Sequence, residues 1–167
     1  MRSWFDGVIV EESTLDGLYD RDILAWSERQ SALLRRAGAD ECLPESMDWP
    51  NIAEELEAIG RSELRACEGL LAQAIARLLK LHAFPESAAA QHWRSEAGAF
   101  LTEAKRTFSP SMRHRIDIAE ISRNAMTGLR RSGQTLAVAA IPWSYPLTLE
   151  ELFDETVDVA RLVRRLG

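Results

Sequence analysis

Between Asp48 and His82, apolar residues recur in steps of three and four: Ile52, Leu56, Ile59, Ala66, Cys67, Leu70, Leu71, Ala74, Leu78 and Leu81. That spacing predicts an apolar stripe on one long helix, or on two helices broken near Gly60. Leu64, Ile75 and Leu79 widen the stripe, so its C-terminal half is expected to be covered on more than one side. Asp48 can cap the helix by accepting from N–H groups of the first turn, and Pro50 suits a turn where its missing N–H does no harm. Glu54, Glu55 and Glu57 come early and Arg77 and Lys80 late, an order that complements the helix dipole. Gly60 costs about 1 kcal/mol against Ala in a helix interior, which points to a bend or a close helix crossing.

The same period predicts the other elements. A helix from about Asp20 to Ala37 places Tyr19, Ile23, Trp26, Gln30, Leu33 and Ala37 on one face. Asp20 is its expected N-cap, Tyr19 and Leu24 its hydrophobic staple, and Gly38 its left-handed stop. Residues 38–47 read as a connector, and Pro85 interrupts the pattern after His82. A third helix, from about His92 to Phe108, uses Trp93, Ala97, Phe100, Leu101, Ala104 and Phe108. Ser109 or Ser111 is expected to cap a fourth, with Pro110 close to its first position. That helix turns Met112, Ile116, Ala119, Met126 and Leu129 inward and ends near Gly133. Residues 134–147, with Pro142, Trp143, Tyr145 and Pro146, read as an irregular segment packing over the bundle. Thr148 and Glu151 form a capping box for a last helix on Leu149, Leu152, Phe153, Val157, Ala160 and Val163.

No segment alternates at strand period and no repeat is present. The expected fold class is therefore all-α: an antiparallel bundle of about four main helices with a long central helix, plus an irregular C-terminal segment and a short last helix. One domain is expected over residues 1–167, with residues 1–14 as an N-terminal arm (Trp4, Phe5, Val8, Ile9, Val10) and a helical tail over about 148–166.

Charge narrows the function classes. The net charge of −6 argues against broad nucleic-acid binding. Residues 1–93 carry 9 basic and 17 acidic side chains, residues 94–131 carry 8 and 4, and residues 132–167 carry 3 and 5. The basic middle segment reads as an internal complement to the acidic first half, with an anion-binding groove as the weaker alternative. No apolar run approaches the ~20 residues that span a bilayer. The first fourteen residues lack a secretory pattern, so the cytoplasm is the expected compartment. Cys42 and Cys67 have no metal-ligand spacing and read as reduced thiols.

Candidate chemistry is sparse. Glu63 and Arg77 project near the middle of the central stripe, and a buried carboxylate must be paired, protonated, metal-bound or swung to the edge. An ion pair or an edge position is the simpler reading. There is no G-x-S-x-G elbow, phosphate-cradling glycine loop or Glu-x-x-His pair, and His82, His92 and His114 fall on different elements. No catalytic residue, metal ligand or cofactor is assigned.

Several blocks then stand together. They are Tyr19 to Asp22 with Ala25 and Trp26; Gln30 to Leu34; Asp48 to Glu57, reading DWPNIAEELE, with Ile59 to Glu63, reading IGRSE; Leu78 to Lys80; Trp93 and Arg94; Ser109-Pro110-Ser111; and Pro146 with Thr148 to Leu152. Over roughly residues 18–154 this pattern resembles the bacterial family known as domain of unknown function 29. Departures lie at residues 81–92 and in a longer tail after Asp154. The resemblance implies a small all-α protein and carries no activity with it. The family pattern includes polar residues at Gln30, Asn51, Glu54, Glu55 and Glu63, a candidate interhelical polar cluster if the first helix packs antiparallel to the central one. Two functions are expected to compete. The first is a noncatalytic helical module that binds a protein partner, motivated by the acidic balance, the missing catalytic constellation and the aromatic, proline-rich segment. The second is a carboxylate- or metal-dependent enzyme, hydrolase-like, using Glu55 and Glu63 with Gln30 and Asn51. A third and weaker reading is nucleic-acid binding through residues 94–131.

Overall fold

Every regular element among the described residues is a helix, and the fold is all-α. The computed structural model describes residues 17–38, 46–131, 147–154 and 158–166. The expected N-terminal arm, Cys42, Gly133, the Trp143–Tyr145 segment and Val157 lie outside the described residues. In chain order the helices are α1 (Leu18–Arg21), α2 (Ile23–Ala37), α3 (Trp49–Ala83), α4 (Ala90–Thr107), a 3-10 turn (Pro110–His114), α5 (Ile118–Arg131), α6 (Leu149–Phe153) and α7 (Val159–Arg164). They fall into two compact units. One holds the described residues up to Glu63 with Ser109–Ser111, and the other holds Leu64–Phe108 with the described residues from Met112 onward. α3 is unbroken at Gly60, runs for 35 residues and supplies residues to both units.

In the first unit, α2 and the N-terminal half of α3 run antiparallel. Arg35 near the end of α2 meets Glu57, while Ser27 and Leu24 near its start meet Gly60. A Cβ added at Gly60 would lie 2.1 Å from Ser27 Oγ and 3.1 Å from Leu24 Cα, so this glycine marks a close crossing rather than a bend. The buried line on α2 is Leu24, Ser27 and Ser31, one residue on from the expected Ile23, Trp26 and Gln30. On α3 the line includes Ala53 and Gly60, one residue on from the expected Ile52 and Ile59, which are exposed. One residue is about 100° of helix rotation, so both expected faces were turned in the same sense. The cause is chemical. Ser27 and Ser31 donate their hydroxyl protons to the carbonyls of Leu24 and Glu28, at 2.9 and 3.0 Å, and pack as small side chains once their polarity is spent locally.

Two expected termini also differ. The N-cap of α2 is Asp22, not Asp20: its carboxylate accepts from Ala25 N at 3.0 Å. Gly38 has φ −63° and is not left-handed; its need for glycine is the Trp49 Cβ, which would lie 2.5 Å from an added Cβ.

In the second unit, the rest of α3 and α4 form another antiparallel pair. Cys67 contacts Ala104, Arg77 contacts Glu96, and Lys80 lies over Trp93. Leu71, Ala74, Ile75, Leu78 and Leu79 of α3 are fully buried with Ala97 and Ala104 of α4, as the widened stripe predicted. α5 begins at Ile118 behind the cap of Asp117, which accepts from Glu120 N at 2.9 Å, so neither Ser109 nor Ser111 caps it. Its buried side is Ile118, Ser122, Met126 and Leu129, and Ala119 is exposed. The capping box of Thr148 and Glu151 is present. The expected last helix is two short ones, because Asp154 is extended and Asp158 caps a new start at Val159.

Candidate functional site

All five residues of the candidate polar cluster belong to the first unit, on α2 and the N-terminal half of α3. The antiparallel pairing that would unite them is present, but it does not bring them together. The helices meet closely where Gly60 approaches Ser27 and Leu24, with Ala53 also buried, and none of the five cluster residues is buried there. Asn51 is exposed and donates its amide to Asp48 Oδ2 at 2.5 Å, closing the first turn of α3. Glu54 is exposed and borders a cleft of about 380 Å³ with Arg35, Gly38, Trp49 and Pro50. Glu55 is exposed, and Gln30 and Glu63 are half-buried. Among the described residues, no hydrogen bond or ion pair links Gln30, Glu54, Glu55 and Glu63 to one another. Glu63 leaves the stripe centre because the true core line is rotated away from it. Arg77 also sits at an edge, held 2.7 Å from Glu96 and over the Phe100 ring.

Two of the five, Glu55 and Glu63, instead lie on a strip along the outer face of α3 with two isoleucines. Ile52 and Ile59 stand two turns apart, about 10 Å along the axis, with Glu55 between them. They are 37% and 44% exposed. Asp48 precedes the pair, and Ser62 and Glu63 follow it. Glu57 points elsewhere: Arg35 donates to it at 2.5 Å and Arg61 lies 3.4 Å away. The Arg35 hydrogen bond holds its carboxyl below the usual range, against a weaker push from burial.

The most heavily bonded acid is Asp22, which periodicity did not mark. It is 7% exposed. Besides Ala25 N it accepts from Ser111 N at 2.8 Å and Ser111 Oγ at 2.6 Å, and the Ser109 hydroxyl adds a further hydrogen bond. Burial pushes its pKa up, but these donors together outweigh that and hold it below 3.8. With its oxygens engaged, Asp22 fastens residues 109–111 to the start of α2 and is poorly placed to bind a substrate. The signal was available as two separate blocks, Tyr19 to Asp22 and Ser109-Pro110-Ser111, but nothing in the linear pattern joined them.

The second unit adds little reactive chemistry. Burial, helped by Glu68, pushes the Cys67 thiol up to about 11, the opposite of activation. Glu68 faces a cleft of about 300 Å³ with Arg115, Asp117, Glu120 and Asn124. Burial first and then the Glu120 charge raise its carboxyl above the usual range, while Arg65 opposes them. Among the described residues no group of three or more His, Cys, Asp or Glu side chains is placed to hold a metal ion. No helix there is long and apolar enough to cross a membrane.

Comparison with known proteins bears on the fold and on kinship. No curated protein matches the chain. The crystal structure of an alpha-helical protein of unknown function from Rhodospirillum rubrum superimposes with a TM-score of 0.81 at 33% identity, covering 89% of this chain and 97% of that one. The family model described as domain of unknown function DUF29 matches residues 18–157. The chain belongs to the DUF29 family.

Proposed function

We propose that this protein is a noncatalytic helical module that docks a protein partner on the outer face of α3. The observation that carries this reading is the pair of exposed isoleucines, Ile52 and Ile59, on one line of a long helix whose opposite side is already packed. Singly exposed apolar residues are ordinary, and what supports docking here is that the two stand on one line of the same rigid helix. The polar residues around them support docking more than catalysis. Glu55 and Glu63 have no hydrogen-bond or ion-pair neighbour among the described residues to orient them. The test compares wild type with the I52D/I59D double variant in affinity capture from a lysate of the source organism, read by quantitative mass spectrometry. Each side chain is partly covered and each new Asp stands one turn from another carboxylate, so the variant should lose about 0.5–1.5 kcal/mol per site while its melting curve shows that it remains folded. At least one protein should be retained by wild type and lost by the variant. Identical captures would end this reading.

A further inference from the structure

We infer that the docking partner is a basic, amphipathic helix and not a second copy of this chain, an inference that rests on the docking reading above. The charge of the strip points this way. Asp48, Glu55 and Glu63 lie along the line of Ile52 and Ile59, and among the described residues of α3 in the first unit the one cation, Arg61, lies off that line. Arg35 and Arg61 are turned to Glu57 instead. Glu55 and Glu63 have no ion-pair or hydrogen-bond partner among the described residues. A strip with apolar knobs and unpaired carboxylates is complementary to apolar residues flanked by Lys or Arg. A second copy would be a poor occupant. Antiparallel pairing that sets Ile52 against Ile59 places Glu55 beside its own counterpart, so like charges meet at the centre.

The backbone argues for a helical partner. The amides and carbonyls of α3 are used within the helix, so an extended peptide finds no edge to pair with and leaves its own backbone unsatisfied. A helix arrives with its backbone bonds made. Its i, i+7 apolar repeat also matches the two-turn spacing of Ile52 and Ile59.

The probe is a pair of designed helical peptides of about 18 residues with identical leucine positions, one filled with Lys and one with Glu. Binding to the full chain is read by fluorescence anisotropy. Wild type should bind the Lys peptide with an affinity that falls as salt rises from about 50 to 500 mM, and should not bind the Glu peptide. The E55K/E63K variant should bind at least about tenfold more weakly. E86K/E103K changes the net charge equally but lies in the second unit, and it should bind within about twofold of wild type. Equal losses in both variants mean attraction to overall charge and overturn the inference. Binding of the Glu peptide, or self-association abolished by I52D/I59D, also overturns it. If those results arise while capture from lysate still depends on Ile52 and Ile59, the docking face stands and only the partner class falls.

Discussion

Two glycines in one helix are expected to respond oppositely to the same substitution. At Gly60 an added methyl group meets Ser27 Oγ and the Leu24 backbone, so Gly60→Ala should lose about 1–3 kcal/mol in urea denaturation even though Ala is the better helix former. At Gly69 nothing lies within 4 Å of an added Cβ, and Gly69→Ala should gain about 0.5–1 kcal/mol. Equal effects at the two sites would refute the close crossing. Asp22→Asn is a second test. Asn keeps an acceptor but turns an N–H₂ toward the Ser111 donors, and hydrogen bonds to charged groups contribute about 1.5–3 kcal/mol. Because the folded pKa of Asp22 is depressed, its contribution is present above about pH 4 and is lost as pH falls through the folded value. The gap between wild type and D22N should therefore be full at pH 7 and shrink below pH 4. At this scale the sequence spoke unevenly. Gly60 announced a crossing by standing in a helix interior. Asp22 hid because Asp20, two residues earlier, is an equally good cap by type, and the donors that choose between them come from residues 109–111.

The existence of helices was legible, and their rotational phase was not. On α3 the C-terminal half carries apolar residues on so many sides that any phase buries most of them. The N-terminal half has fewer, and there Ile52 and Ile59 outweighed Ala53 and Gly60 in any reading by hydropathy. Packing chose the smaller pair because two helix axes approach closely only over small residues. Leu78→Ala should then cost about 2–5 kcal/mol, as large-to-small changes in a packed core do. Ile52→Ser and Ile59→Ser should each stay within about 0.5 kcal/mol. Chemical denaturation of the two isoleucine variants, with Leu78→Ala as the reference for a core position, decides between the observed face and the one that periodicity alone suggests. Starts were legible where the cap is local, as at Thr148 with Glu151. They were missed where a 3-10 turn intervenes, as between Ser109 and Asp117.

Taken as a whole, the described carboxylates with shifted titration fall into two kinds of environment. Asp22, Glu57, Glu96 and Glu150 are held low by donors and cations, while Glu68 is pushed up by burial and by Glu120. The first group loses its contribution in acid. Glu68 works in the opposite sense: its folded form binds a proton more readily than the unfolded chain, so stability falls as pH rises through the window above 4.5. Glu68→Gln should raise the melting temperature at pH 7 and have no effect at pH 4. An unchanged melting temperature at pH 7 would show that solvent reaches Glu68 well enough to cancel both its burial and the Glu120 repulsion. Function was the least legible level. The acidic balance of the first half was plain, but which carboxylates stay unpaired depends on where Arg35, Arg61 and Arg77 reach, and that follows from the packing.

The clasp between Asp22 and Ser111 joins residues 89 positions apart. During synthesis on the ribosome, α2 is complete long before residue 111 has left the exit tunnel. Until then Asp22 caps its helix through Ala25 alone. The finishing hydrogen bonds arrive after both α3 and α4 have been translated, so a nascent chain arrested ahead of Pro110 should display α2 with a looser start and an Asp22 that titrates nearer to an ordinary aspartate. Maturation of the first unit is thereby timed by the middle of the message rather than by its beginning.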